Sequence, residues 1–246
     1  MQPNNLKRLN ITKWALPLAA IVVIGVVIVA MIHWRSDRLQ YRLLATPPEA
    51  VADDPALVRF ATAQARPLYA QHCAVCHGAD MRGNPALGAP NLTDSVWLFG
   101  EGRIFDIERT LLYGIRSGED KAHNETDMPS FGLRGILSDV QIGNVVQYML
   151  QLSGRPYGAE AANAGRAVYA GAGNCGDCHG PDARGNSDYG APDLTRNVWN
   201  SGGDPQSLYN TIYFGQHRIM PAWGGSLSLE QIRALATYVY AVSHAR

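Results

Sequence analysis

Two C-x-x-C-H frames, Cys73-Ala74-Val75-Cys76-His77 and Cys175-Gly176-Asp177-Cys178-His179, use every cysteine in the 246-residue chain. Two thiols one helical turn apart, with an imidazole directly behind them, form the attachment frame of haem c. The sulfurs reach the two vinyl groups of the porphyrin, the His lies under the iron, and the opposite face is left for a ligand from a distant loop. Paired cysteines also build disulfides and tetrahedral zinc sites. Here each pair has its own His and its own Met-Pro further on, which favours two covalently bound haem c groups (iron) on Cys73, Cys76, Cys175 and Cys178.

The frames belong to a longer internal repeat. Arg66 and Tyr69 precede the first as Arg166 and Tyr169 precede the second, and eleven residues after each His the chain reads Gly88-Ala89-Pro90-Asn91-Leu92-Thr93 and Gly190-Ala191-Pro192-Asp193-Leu194-Thr195. Trp97 and Trp199 end the similarity there, and Met128-Pro129 and Met220-Pro221 resume it. Each Met-Pro is followed by a Ser-x-x-Gln capping box, Ser138 with Gln141 and Ser228 with Gln231, and then by apolar residues at helical spacing. Ile142, Val145, Val146, Met149 and Leu150 make one stripe; Ile232, Leu235, Ala236 and Val239 make the other. Both read as closing helices, with Tyr148 and Tyr238 at equivalent places. Between these landmarks the Gly- and Pro-rich composition, without apolar alternation, predicts loops around a prosthetic group rather than strands.

The sixth ligands follow by elimination among six methionines. Met1 is terminal, Met31 lies in an apolar run, Met81 stands too close to the first frame, and Met149 lies on a packing stripe. Only the Met-Pro pair repeats, so the expected metal ligands are His77 and Met128 in the first unit and His179 and Met220 in the second. His72, His123 and His217 are rival ligands with a plainer reading each: His72 as a surface residue, and His123, in Glu119-Asp120-Lys121-Ala122-His123-Asn124-Glu125, and His217 as solvated loop residues; His33 reads as interfacial.

From Trp14 to Trp34 the chain carries no charge, a run long enough to cross a bilayer at about 30 Å, with a Trp at each end. It exceeds the apolar stretch of a cleaved signal peptide. Lys7, Arg8 and Lys13 before it balance Arg35, Arg38 and Arg42 after it, so charge does not set the orientation. Haem attachment outside the cytoplasm does, placing the C-terminal part in the periplasm. Leu43 to Pro55, with Thr46-Pro47-Pro48 and Asp53-Asp54-Pro55, reads as a tether. Lys plus Arg and Asp plus Glu both number 21 and no basic block stands out, so no nucleic-acid partner is expected.

With these residues in view, the sequence resembles the CcoP/FixP subunit (subunit III) of cbb3-type cytochrome c oxidase. The tandem haem frames behind an N-terminal anchor, Gly190-Ala191-Pro192-Asp193-Leu194-Thr195 with Trp199, and the run Met220-Pro221-Ala222-Trp223-Gly224-Gly225 carry the resemblance. It implies a mainly α fold, a single N-terminal transmembrane helix followed by two tandem class I cytochrome c domains. The expected divisions are an anchor over 1–35, a periplasmic linker over 36–58, and domains over 59–154 and 157–246, with a Gly-Pro stop at Ser153-Gly154-Arg155-Pro156 between the domains. The resemblance implies that Pro90 and Pro192 accept the proximal imidazole's hydrogen bond. It further implies a non-catalytic relay, taking electrons from a donor cytochrome c or quinol-oxidising complex to a monohaem cytochrome c subunit and a haem-copper catalytic subunit, in an inner membrane with lipid around the anchor. The competing function is a dihaem subunit of another membrane oxidoreductase; a peroxidase or gas sensor is disfavoured by two equivalent Met-Pro loops. Two departures stand out. Many family members have two membrane helices, and the first unit has 31 positions from Trp97 to Met128 against 21 from Trp199 to Met220, with Ser130-Phe131-Gly132 in place of Ala222-Trp223-Gly224.

Overall fold

A computed structural model describes residues 12–124 and 127–245, with the first helix's side chains from residue 17 onward. Lys7, Arg8 and Glu125, invoked above, lie outside the described residues. The first element, α1 (Thr12–Ala45), is a 34-residue helix. Its apolar side chains from Leu18 to Trp34 are exposed, with no protein against them, and it is the one helix among the described residues long and apolar enough to cross a membrane.

Past Trp34, α1 runs on for another eleven residues, about 16 Å of helix, and its last turn is built into a protein core. Leu43 and Val51 are 1% and 0% exposed. The guanidinium of Arg233 donates to the carbonyls of Leu43 at 3.1 Å and Thr46 at 2.9 Å, placing a cation at the helix C-terminus where unsatisfied carbonyls gather. Asp54 pairs with Arg42 and caps the next helix through the amides of Ala56 and Leu57. The segment expected to be a tether is therefore packed. Composition conceals this, because two apolar side chains and one distant arginine suffice to fasten a short Pro-rich stretch.

The remaining helices form two units of the same plan. In the first, α2 (Pro55–His72) leads through the single turn α3 (Ala74–His77) and a long loop to α4 (Ile104–Tyr113). In the second, α6 (Ala159–Ala170), α7 (Gly176–His179) and α8 (Pro205–Phe214) repeat it. The closing helices are α5 (Asp139–Leu152) and α9 (Leu229–Ser243), both opened by the expected Ser-Gln capping boxes. Two helices appear where loops were expected. In α4, Ile104, Ile107 and Leu111 fall on one buried stripe and Asp106 accepts from the Arg103 and Glu101 amides; α8 starts on an Asp204 cap with Pro205 at its first position. Ten residues each, they lie inside Gly-rich stretches that mask so short a periodicity. No strand is present among the described residues, only isolated bridges.

The closing helices are exchanged between the units. Ile232, Leu235, Ala236 and Val239 of α9 share a core with Leu57, Ala61, Ala65 and Tyr69 of α2 and with Ile104, Ile107 and Leu111 of α4. Ile142, Val145, Val146 and Met149 of α5 share theirs with Tyr169, Leu208 and Ile212 of the second unit. The equivalent tyrosines record the exchange: Tyr69 meets Tyr238 edge-on at 6.0 Å, and Tyr169 meets Tyr148 at 5.5 Å. The chain does turn between α5 and α6 at Ser153, yet the packed units do not follow that division. Connectivity explains why. The two repeats offer matching sockets, and a six-residue link brings α5 and α6 together as packed neighbours at little loop-closure cost. That leaves the socket on α2 and α4 for α9. Gly165 permits the close α5–α6 crossing, since a Cβ there would overlap the Asn144 carbonyl.

Candidate metal centres

In each unit the attachment frame begins as the first helix ends. Cys73 donates its N–H to Tyr69 O at 2.9 Å, and His77 closes a single turn back to Cys73 O at 2.9 Å. Cys175 and His179 do the same with Tyr169 O at 3.0 Å and Cys175 O at 2.9 Å. Positions i, i+3 and i+4 of one turn share a face, so both sulfurs and the imidazole are presented together. Gly78 and Gly180, at φ +78° and +79°, turn the chain away immediately afterwards. The hydroxyls of Tyr69 and Tyr169 donate to their carbonyls at 2.8 and 2.6 Å. No disulfide joins the four cysteines, so both sulfurs of each frame are left for thioether bonds.

Each histidine has its outer nitrogen fixed. His77 Nδ1 lies 3.1 Å from Pro90 O and His179 Nδ1 lies 3.0 Å from Pro192 O. A carbonyl can only accept, so Nδ1 carries the proton and Nε2 keeps its lone pair for a metal. Burial lowers both imidazole pKa values, against the opposing pull of those carbonyls, which keeps the rings neutral as iron ligation requires. Two thiols, a neutral ring of fixed tautomer and an apolar surround fit haem c. Among the described residues no three His, Cys, Asp or Glu side chains converge as a zinc cage would need.

The two Met-Pro segments lie on the units opposite to those in which they stand in the sequence. Met220 exchanges both backbone hydrogen bonds with Ile115, at 3.0 and 2.9 Å, and Trp223 donates to Leu111 O at 2.9 Å. Met220 and Trp223 pack on the first core together with Cys73, Leu92 and Trp97. Met128 exchanges its bonds with Gln216, at 3.2 and 2.9 Å, and Phe131 donates to Ile212 O at 3.1 Å. Met128 packs on the second core with Cys175 and Trp199. The Met-Pro segments thus pack opposite to their order in the sequence, Met220 on the core that holds Cys73 and Met128 on the core that holds Cys175, for the same reason of connectivity that exchanges the helices behind them.

Other candidates fall into place around this. Met81 is buried in the first core at φ +64°, and Met149 is buried on the α5 stripe. His72 is half-buried against Trp223, with ring centroids 5.2 Å apart, so it is not simply a surface residue. His123 is buried, not solvated: its ring stacks on Phe99 at 4.2 Å and its Nε2 lies 3.4 Å from Thr110 Oγ1. His217 is exposed and pairs with Asp127, which also binds Arg116 at 3.1 Å. Sequence reasoning passed over Arg233 and Glu108, a buried ion pair at 2.7 Å, and Arg218, which lies between the units. Nothing local marks them, because their partners are far away in the chain.

A mainly helical chain with an exposed apolar helix and two Cys-Cys-His frames, each sharing a packed core with a Met-Pro segment, is a membrane-anchored dihaem c-type cytochrome. Residues 160–239 match the family described as cytochrome c oxidase, cbb3-type, subunit III, and residues 63–153 match cytochrome c. The chain is similar to the cbb3-type cytochrome c oxidase subunit CcoP of Cereibacter sphaeroides, 38% identical over 82% of this chain and 68% of that protein. It is also similar to the FixP subunits of Azorhizobium caulinodans, at 40% over 81% of the chain and 66% of the relative, and of a Bradyrhizobium species, at 41% over 85% and 70%. The chain belongs to the CcoP/FixP family, subunit III of the cbb3-type oxidases, and carries covalently bound haem c in two cytochrome c domains.

Proposed function

We propose that this chain is the dihaem electron relay of a cbb3-type terminal oxidase in aerobic respiration. It accepts electrons from a donor cytochrome c or a quinol-oxidising complex and passes them to a monohaem cytochrome c subunit and the haem-copper catalytic subunit. The α1 helix lies in a bacterial inner membrane with lipid against its apolar side chains, and both haem units stand in the periplasm, where haem is joined to its thiols. The anchor over 1–35, the connection over 36–58 and the repeats over 59–154 and 157–246 are its sequence units, with the closing segments exchanged.

In this reading Cys73 and Cys76 hold the first haem, with His77 and Met220 on the iron, and Cys175 and Cys178 hold the second, with His179 and Met128. The observation that carries it is that one arrangement occurs twice: a His bonded to a Pro carbonyl, with a Met-Pro segment packed on the same core as the frame's first cysteine. Haem c supplies reversible one-electron chemistry, at a potential raised by a thioether ligand. The protein's own groups make and break no bonds. Pro90 and Pro192 hold the imidazoles in the ligating tautomer, the cores exclude water, and the backbone pairs Ile115–Met220 and Gln216–Met128 fix the distal segments.

The test is to solubilise the protein from its native membrane in mild detergent through a C-terminal tag, and to record haem spectra, oxygen uptake and co-purifying chains. Recovery of a haem-copper subunit and a monohaem cytochrome with oxygen uptake is expected. A dehydrogenase or quinol-oxidising partner without oxygen uptake overturns the oxidase reading and leaves the dihaem cytochrome.

A further inference from the structure

The loops that hold the two proximal histidines both open on a glycine at the junction between the units, and the two glycines are covered differently. Gly190, before Pro192, lies against the ring of Phe99 from the first unit: a Cβ there would overlap the ring. The residue equivalent to Phe99, two positions after the repeated Trp, is Ser201 in the second unit. Ser201 is too small to cover Gly88 in return, and Arg218 fills the gap. A Cβ on Gly88 would overlap its guanidinium, which also lies 3.4 Å from Ala86 O and 3.4 Å from Ser201 Oγ and bonds to the Gln216 side chain. One histidine loop thus abuts an aromatic ring and its counterpart abuts a cation.

All these partners of Arg218 are neutral. No carboxylate among the described residues forms an ion pair with it. Asp127, beside Met128 in the chain, is taken by Arg116 and His217. Partial burial lowers the guanidinium's pKa, but an arginine stays charged throughout the working range, and a partly desolvated charge is weakly screened. Two residues further along the chain is Met220, on the first core.

We propose that Arg218 makes the two haem centres electrically unequal, raising the reduction potential of the first-unit haem above that of the second. The inference rests on the dihaem reading and extends it. Reduction removes one positive charge from ferric iron, so a fixed cation beside the first centre favours its ferrous form. The internal step is one electron passing from ferrous second-unit iron to ferric first-unit iron, with no proton or leaving group. Arg218 acts through space and is a positioning charge, not a ligand.

The experiment is a spectroelectrochemical titration of the full chain in detergent. Both haems are made distinguishable by a Cys76→Ala background, whose single-thioether first haem absorbs at a longer wavelength. Arg218→Gln is expected to lower the midpoint of the tagged haem, shifting the electron partition between the haems about tenfold toward the second, close to 59 mV for a one-electron couple. Arg218→Lys is expected to keep most of the difference. Ser201→Asp, which neutralises the guanidinium without removing it, should reproduce the Arg218→Gln shift and serves if that variant loses haem. Unchanged midpoints in Arg218→Gln or Ser201→Asp, or an equal fall in both haems, overturn the proposal. Absence of two low-spin Met-ligated haems in the unsubstituted chain would instead overturn the dihaem reading beneath it.

Discussion

Arg233 of α9 donates to Glu108 of α4 at 2.7 Å across 125 positions of sequence, with both side chains almost wholly buried. The same guanidinium reaches the carbonyls that end α1. One residue near the end of the chain therefore fastens the membrane helix, the first unit's second scaffold helix and the closing helix together. These contacts pack the first unit against the C-terminal end of the membrane helix.

Breaking this pair should be costly and local. Arg233→Met leaves Glu108 buried without its cation, a loss of about 3–5 kcal/mol. The expected outcome is a lower denaturation midpoint for the first-unit haem, with the second-unit haem little changed. Restoring balance with Glu108→Gln in the Arg233→Met chain should recover a large part of the loss, measured by haem absorbance in a denaturant series.

Gly165 tests the other socket. Any side chain there meets the Asn144 carbonyl, so Gly165→Val must push α5 off α6 at a cost of about 1–3 kcal/mol. Since α5 closes the second unit, the haem on Cys175 and Cys178 should be the one destabilised. An effect confined to the haem on Cys73 would contradict the exchanged packing.

The landmarks legible in the sequence are those whose chemistry is local. The C-x-x-C-H turn, the Ser-Gln capping boxes and the Tyr148 and Tyr238 positions each declare themselves within a few residues. What Met128 and Met220 face is not local. The repeats make the two sockets nearly interchangeable, so residue pattern alone cannot choose between them, and the six-residue link after α5 decides. Leu43 and Val51 were hidden in a Pro-rich stretch because their burial depends on α9, far along the chain. His123 looked solvated among Glu119, Asp120 and Lys121, and only the Phe99 ring brought there by the fold reveals its burial.

Acid should loosen the start of the first unit. The Leu57 amide, with that of Ala56 and the Arg42 cation, holds the Asp54 carboxyl below its ordinary value of 3.8. A carboxyl depressed in the folded state contributes stability that is complete above the unfolded value and is lost as pH falls through the folded one. Denaturation midpoints should therefore be insensitive to this group at neutral pH and decline below about pH 4. Asp54→Asn should flatten that decline; an unchanged acid limb would refute the assignment.

Truncation separates the units directly. Ending the chain after Arg218 removes Met220 and α9 while keeping α5 and Met128. The expected product retains a Met-ligated haem on Cys175 and Cys178 and loses the low-spin character of the haem on Cys73 and Cys76, read by absorbance of the purified chain. The reverse pattern is what an unexchanged pair of domains would give.

The central claim, that each iron takes its distal ligand from the other repeat, is tested most directly by Met220→His in the Cys76→Ala background. A change from Met–His to bis-His ligation lowers the midpoint and removes the far-red Met–iron band. The account predicts that both changes occur in the tagged, first-unit haem, with the second-unit haem keeping its Met signature. Loss of that signature from the untagged haem would show that Met220 serves the unit it follows in sequence, and the exchange would be wrong.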